Sequence, residues 1–407
     1  MRTVVLCAAV AALLAPRAAA AQSLTLTEAA ALQRLSADSP RVRALRAGVD
    51  LARAEALAAG RWPNPSVAVN RETVGGVTEY LTTVGQVLPI TGVRTLQVRA
   101  ASALADAAGA RADDEIRRAK ADLRLAFAQL VSAQGREREL TAVRDRLRGV
   151  ADVLARREAA GDAAGFDRLR AEREVIDIEA DVALAAADRL RAQGVLAGFF
   201  GERVDPASLV AAPEPRTNAP LPAVEVLAER AESARGELIA FQKEVEAANW
   251  FGLAADRRRI PEPQVGGGTK STSGLAGGLG SVVTFQATIP VFDRGRPEKA
   301  MAVARAQQAE ARAGALRVTL RADIESLRPI VIDRRAAAER YRIAVASTAD
   351  QIERIAQVSY EAGERGILEL LDAYRTGAAA RIRQSMLDLA VRQAEIELEF
   401  LTGSEIK

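Results

Sequence analysis

The side chains able to do chemistry are few in kind. The 407-residue chain has no histidine, and its single cysteine is Cys7. Ser-His-Asp and Cys-His relays need an imidazole and are excluded. Zinc and copper sites draw on histidine and cysteine, so no metal site and no cofactor are expected. No nucleophile–base pair can be assembled from what remains, so the reading is of a non-enzyme. The remaining reactive groups are carboxylates and guanidiniums. Asp167, Glu369 and Asp372 stand shortly after glycine-containing turns at Gly161 and Gly363. Acids in a first helical turn interact favourably with the helix dipole, by about 0.3–1 kcal/mol. At the end of a helical hairpin they are also groups a docking protein could read. Gly161 and Gly363 suit turns that need a positive φ. Arg94, Arg296 and the run Arg257-Arg258-Arg259 meet phosphates or carboxylates at a membrane edge, or are solvated surface cations.

Composition indicates what must position these groups. The chain is 49% apolar yet only 4% aromatic, and alanine supplies 87 residues. At 27% charge this is not a disordered composition; it reads as long, closely packed helices. Residues 1–21 read as a secretory signal, with a basic start, an apolar run from Val4 to Leu14 and small residues Ala19 to Ala21. Removing it takes Arg2 and Arg17, leaving 54 basic and 53 acidic residues, no basic excess for nucleic acid. No later stretch of about 18 apolar residues could form a membrane-spanning helix.

Proline divides the rest. Between Pro89 and Pro206 lie 116 residues without proline, and 78 more follow Pro329. Proline breaks helices, so these gaps permit very long ones. Residues 204–222 read as a proline-rich linker between a first repeat, 22–203, and a second, 223–407. Trp62-Pro63-Asn64-Pro65 matches Ile260-Pro261-Glu262-Pro263 at an offset of 198, and Leu88-Pro89-Ile90 matches Ile289-Pro290-Val291 at 201. Gly161 matches Gly363 at 202, and from there Asp167, Leu169 and Ala171 align with Glu369, Leu371 and Ala373. Separate features at nearly one offset mark an internal repeat.

Each half has the same order of elements. An alanine-rich helical stretch comes first (Thr27 to Arg61, broken at Ser39-Pro40; Ala223 to Arg259). Two strand-like runs follow: Ser66 to Glu72 and Glu79 to Leu88, then Gln264 to Gly268 and Gly280 to Ile289. A long helix comes next, Val93 to Glu158 and about Pro297 to Tyr360. Pro329 predicts a kink or break in the second. A tight turn leads to a last helix, Phe166 to Phe199 and Ile367 to Leu401. Leu140, Val143, Leu147, Val150 and Leu154 step by 3, 4, 3, 4, a coiled-coil seam. Val283, Phe285, Ala287 and Ile289 alternate with polar residues, which suits a soluble hairpin over a core or a membrane strand.

Length favours the membrane reading. A helix from Val93 to Glu158 would be roughly 100 Å long, more than a compact domain needs. Four strands cannot close a barrel alone, and a lipid-exposed sheet edge is not tolerated, so other subunits must close it. Pro63, Pro65, Pro89, Gly92, Pro261, Pro263, Pro290 and Gly295 would then be the strand–helix corners.

Together these features resemble the TolC-like outer-membrane efflux proteins over essentially the whole mature chain. The resemblance is carried by Pro63-Asn64-Pro65, by Leu88-Pro89-Ile90-Thr91-Gly92-Val93-Arg94 and by Ile289-Pro290-Val291-Phe292-Asp293-Arg294-Gly295-Arg296. The turn motifs after Gly161 and Gly363 add to it. Tyr360-Glu361-Ala362-Gly363 with Ile367-Leu368-Glu369-Leu370-Leu371-Asp372 is most similar to the heavy-metal cation efflux subgroup. The resemblance implies a mixed membrane protein, mostly long α-helical coiled coil (an α-barrel), with four β-strands per chain completing a trimeric 12-stranded β-barrel. It implies a homotrimer in the outer membrane of a Gram-negative bacterium with a large periplasmic extension. It further implies a periplasmic adaptor, an inner-membrane efflux pump and contact with outer-membrane lipid. The expected function is passive export of small solutes, with heavy-metal cations as the subgroup's cargo. Gly161, Asp167, Leu169, Gly363, Glu369, Leu371 and Asp372 would form the periplasmic tip, as adaptor contact or gate. The competing reading is a periplasmic coiled-coil structural or adaptor protein without a barrel. The two hairpins discriminate, because such a protein has no need of them.

Overall fold

The computed structural model describes residues 24–35, 39–161, 165–200, 204–214, 219–274 and 277–405. The expected signal, residues 1–21, lies outside the described residues. A short strand β1 (Leu24–Leu26) leads into α1 (Glu28–Arg34) and α2 (Pro40–Ala59). The break between these helices falls where expected. Ser39 Oγ accepts from the Val42 amide at 3.3 Å. Pro40 occupies the first turn, where its missing N–H costs nothing. Strands β2 (Ser66–Val74) and β3 (Val77–Val87) follow, then α3 (Val93–Ala159) and α4 (Gly165–Ala197). The second half supplies α5 (Val224–Ala234), α6 (Gly236–Arg257), β5 (Pro263–Thr272) and β6 (Leu279–Ala287). It continues with α7 (Arg296–Tyr341), a π-helical segment (Arg342–Ala346), α8 (Ser347–Glu361) and α9 (Ile367–Thr402). Helix α3 has 67 residues. Its length is therefore about 100 Å.

Three expectations need correction. The helix is not broken at Pro329, which lies inside α7. The helical pattern changes further on instead, at Arg342–Ala346. Val331 and Ile324, both fully buried, flank the proline, and their packing holds the helix through it. The segment 204–222 is not only a linker. It forms a 3₁₀ turn (Pro206–Ser208) and β4 (Leu209–Ala211), which pairs in parallel with β1. Gln193 Nε2 donates to the Leu209 carbonyl at 2.7 Å, so the crossover is fastened to α4. Finally, β2 and β5 run past the expected ends at Glu72 and Gly268, to Val74 and Thr272, and have 9 and 10 residues.

The core is divided along the rod. One cluster joins β1, α1 and β4 to the middle of α3 through Leu26, Leu123, Phe127, Leu130 and Leu209. A second joins α5, α6, α7 and α9 through Leu227, Leu238, Ile324 and Leu398. The third lies at the far end, where the seam residues Val143, Leu147 and Leu154 of α3 meet Leu370, Leu371 and Tyr374 of α9. Alanine and glycine let the helices between these clusters approach closely. A Cβ at Gly236, the first residue of α6, would overlap the Ala110 carbonyl of α3. Charges tie the repeats together. Glu28 of α1 accepts from Arg124 of α3 at 2.7 Å and from Arg392 of α9 at 2.5 Å, and these side chains are at most 14% exposed.

Candidate functional site

The four long strands form one antiparallel sheet in the order β2-β3-β5-β6. Each hairpin pairs directly, and β3 pairs with β5 across the repeat boundary, with Thr83 opposite Gly268. The turn between β2 and β3 contains only Gly75 and Gly76, at φ 59° and 81°. That is the left-handed geometry of a two-residue hairpin. Among the described residues the outer strands β2 and β6 each leave one edge unpaired.

Register assigns every strand residue to a face, because directly opposed residues point the same way. One face carries Val67, Val69, Tyr80, Val84, Val265, Val283 and Phe285, all exposed. The other carries Asn70, Glu72, Glu79, Gln264, Lys270 and Gln286, and Lys270 Nζ lies 2.7 Å from Glu79. The polar face is concave. Along β5, Gln264, Gly266, Gly268 and Lys270 are sheltered, while Val265, Gly267 and Thr269 between them are exposed. A Cβ at Gly266 would lie 2.9 Å from the Val84 carbonyl, and one at Gly268 would overlap the Thr82 carbonyl. At Gly267, on the convex side, the nearest atom to such a Cβ is 3.8 Å away. The sheet is therefore a curved wall: valines and aromatic residues outnumber charges outside, where Arg71 and Gln86 also lie, and Glu72, Glu79 and Lys270 lie inside together with Leu81, Val87 and Val282. Its four strands have 9, 11, 10 and 9 residues. That is the length a tilted strand needs to cross a membrane.

At one end of this wall all four strands meet helices. Pro89 and Pro290 each sit at the centre of a tight turn. In these turns Ile90 N–H donates to Leu88 O and Val291 N–H to Ile289 O, both at 2.9 Å. Gly92 and Gly295 follow at φ 74° and 75° and open α3 and α7. Pro263 begins β5, where a strand tolerates proline. Its carbonyl accepts from Leu88 N–H at 2.8 Å. The Pro63 carbonyl accepts from Gln86 Nε2 at 2.9 Å. Thr91 Oγ1 donates to Glu262, beside Pro261, at 2.7 Å, and Arg257 donates to the Thr91 carbonyl at 3.0 Å. The corners of the two repeats are thus bonded to one another.

At the opposite end the helices turn. Gly161 (φ 82°) and Gly363 (φ 76°) are left-handed, and their amides donate to Glu158 O at 2.9 Å and Tyr360 O at 3.0 Å. Asp167 and Glu369 lie in first helical turns; Glu369 and Asp372 are exposed, and Asp167 is half-buried. The matched leucines part company. Leu169 is 58% exposed, whereas Leu371 is 3% exposed in the third core cluster. Arg168, next to Asp167, bridges Glu158 of α3 and Glu172 of α4. Periodicity gave no sign of the strongest polar cluster nearby. Arg381 of α9 donates to Glu139 of α3 at 2.6 Å and to Asp350 and Glu353 of α8 at 3.0 and 2.8 Å. Arg146 of α3 donates to the other Glu353 oxygen at 2.6 Å. Gly377 makes room, since a Cβ there would overlap the Glu353 carboxylate. Burial pulls the Arg381 guanidinium down, but the bonds to Glu353 and Glu139 outweigh it and leave its pKa raised. Among the described residues no three or more Asp or Glu side chains gather as a metal site would require.

Known proteins share this architecture. Residues 227–404 match the family described as outer membrane efflux protein. The cobalt-zinc-cadmium resistance protein CzcC of Cupriavidus metallidurans is 26% identical over 298 residues, 72% of this chain and 69% of that protein. The outer-membrane channel OprN has the same fold, with a TM-score of 0.71 at 20% identity over 93% of this chain and 90% of that one. The open state of the Neisseria gonorrhoeae MtrE outer membrane channel gives 0.72 at 17% identity, over 93% and 89%. The family match falls on the second repeat, and the first repeats its order of elements around the same sheet. The chain has the fold of these outer-membrane channels, and its second repeat matches the outer membrane efflux protein family.

Proposed function

We propose that this chain is the outer-membrane exit duct of a three-part efflux assembly, and that its cargo is heavy-metal cations of the cobalt, zinc and cadmium class. The curved sheet carries the reading. Its convex side carries most of the exposed valines and Phe285, its concave side carries Glu72, Glu79 and Lys270, and among the described residues both edges are open. Open edges cannot face lipid, so β6 of one copy must pair with β2 of the next. Three copies close twelve strands into a barrel with a wet interior. The helices below continue it as a periplasmic tube about 100 Å long. In that arrangement the far tips face an adaptor and, behind it, an inner-membrane pump. Gly161 and Gly363 turn the chain there, and Asp167, Leu169, Glu369 and Asp372 supply the surface an adaptor would meet. Leu371 acts beneath that surface, as packing. The metal class rests on the similarity to CzcC. The cation is cargo: it passes a polar wall and is not held.

The test has two parts. Membrane fractionation with native sizing should find a trimer in the outer membrane. A monomer in the soluble periplasm would overturn the duct and favour a coiled-coil structural or adaptor protein. Deleting Gly266 to Ile289 should abolish both membrane location and export. For the cargo, loss of the gene should sensitise cells to cobalt, zinc or cadmium salts; sensitivity to organic dyes alone would overturn the metal assignment.

A further inference from the structure

The corner between β6 and α7 exposes more apolar surface than its neighbours. Ile289 is 74% exposed, Val291 55% and Phe292 99%. Immediately beside them stand Arg294 and Arg296, and the end of α6 packs against the same corner at Gly295 through Ala255, with Arg259 two residues beyond the helix. The surrounding acids already have partners. Arg258 lies 2.6 Å from Glu298, and Lys299 lies 2.8 Å from Asp256. Asp293 accepts from the Gly295 amide at 3.2 Å. Arg259, Arg294 and Arg296 are exposed and make no ion pair among the described residues. Nor does helix stability explain Arg294 and Arg296, which flank the start of α7. A cation at a helix N-terminus opposes the macrodipole.

Resting on the duct reading, we propose that this corner is a lipid anchor. Ile289, Val291 and Phe292 enter the periplasmic-side leaflet, and Arg259, Arg294 and Arg296 hold the phosphates of anionic phospholipids. Two observations choose this occupant. The apolar corner continues the convex face of the sheet, through Phe285 and Val283, toward the helices. The three unpaired guanidiniums lie at the end of that face, where lipid phosphates would stand, and a guanidinium binds phosphate oxygens in bidentate fashion. Three copies would repeat the cluster around the barrel's rim.

The experiment uses the full trimer with Phe292→Trp as a reporter, in a Trp62→Phe, Trp250→Phe background. It is reconstituted in vesicles of phosphatidylcholine mixed with phosphatidylglycerol, one or the other carrying brominated chains. Bromine quenches a tryptophan that it touches. We expect strong quenching, and more from brominated phosphatidylglycerol than from brominated phosphatidylcholine. Each arginine near an anionic surface contributes about fivefold to the local preference. The Arg259→Gln, Arg294→Gln, Arg296→Gln variant should lose that preference while remaining quenched. The same substitutions to lysine should retain most of it. No quenching in an assembled trimer would mean that a neighbouring subunit covers Phe292, and equal quenching by both lipids would mean insertion without headgroup recognition. Either result overturns the proposal. Failure to form any trimer in lipid would instead overturn the duct reading beneath it.

Discussion

Gly267 and Gly268 are adjacent in one strand, yet the same substitution should have opposite effects. A Cβ at Gly267 points to the convex side, where its nearest neighbour is Val282 O at 3.8 Å, an ordinary contact. A Cβ at Gly268 points to the concave side and overlaps the Thr82 carbonyl. That oxygen is backbone in the paired strand β3 and cannot swing aside as a side chain could. Gly→Ala at an unstrained site stabilises by about 0.4–1 kcal/mol through the unfolded chain. Overpacking a tight site costs about 1–3 kcal/mol. Gly267→Ala and Gly268→Ala should therefore differ by about 1.4–4 kcal/mol per chain. A closed barrel would carry the difference three times. The assay is heat-dependent dissociation of the trimer from membranes, followed by gel mobility over a temperature series. Gly267→Ala should dissociate within a few degrees of the parent, and Gly268→Ala should dissociate far lower or accumulate as monomer. Equal heat resistance would refute the inference that the polar face is the tightly curved one.

Three further outcomes are expected. Leu371→Ala removes a buried side chain from the tip cluster and should cost about 2–5 kcal/mol in denaturant unfolding. Leu169→Ala removes an exposed one and should barely move the midpoint, as surface substitutions usually do; equal losses would contradict the asymmetry of the two tips. Glu28→Gln removes a carboxylate that buried Arg124 and Arg392 share, while Glu399 and Glu395 still pair with them, and should cost about 1–3 kcal/mol, read as a lowered urea midpoint. Burial holds the Tyr374 phenol above its usual pKa of 10.0, with Arg146 opposing the shift. The unfolded chain therefore releases this proton first. Tyr374 should add stability below pH 10, and that contribution should fade as pH rises from there through the folded value; Tyr374→Phe should flatten this part of an alkaline stability profile.

Repeat, corners and long helices were legible because each has a local cause. The 3-4 stepping of Leu140 to Leu154 buries one seam wherever the helix goes. Pro89 and Pro290 impose the same turn in both halves, and Gly75-Gly76 needs only two residues to reverse a strand. What escaped depends on partners distant in sequence. The pairing of β1 with β4 joins two three-residue strands across more than 180 positions, too short to carry a periodic signal. The division between α5 and α6 at Arg235 has no proline. Its cause is the close approach of Gly236 to α3. Likewise the far end of β5 was hidden: the strand-like run stops at Gly268 in the sequence, and Thr269 to Thr272, polar residues that read as loop, continue the strand only because they pair with β3 and β6. At the tip, Arg381 and Glu353 are ordinary surface letters in the sequence, and only the packing of α3, α8 and α9 makes them a cluster.

The motif match between the two tips therefore needs a physical reading position by position. Ala171 and Ala373 are both buried, as expected of aligned residues where helices must approach closely. Leu169 and Leu371 align equally well and lie in opposite environments. The difference follows from the neighbours of each helix. α9 packs against α3, α5, α7 and α8, so its leucines have core on several sides. α4 packs chiefly along α3, and Leu169, Ile176, Leu184 and Leu190 remain outside at 58%, 62%, 62% and 51% exposure. A single chain cannot bury that stripe. In the second hairpin α8 likewise leaves Ile352, Ile355 and Val358 exposed at 47%, 52% and 64%, so the contrast lies in α9, whose leucines are packed where those of α4 are not. Sequence symmetry at the corners reflects a shared task, turning strand into helix at one level. At the tips the same symmetry covers two different ones, and Leu371 and Leu169 do not inherit a common role from their common motif.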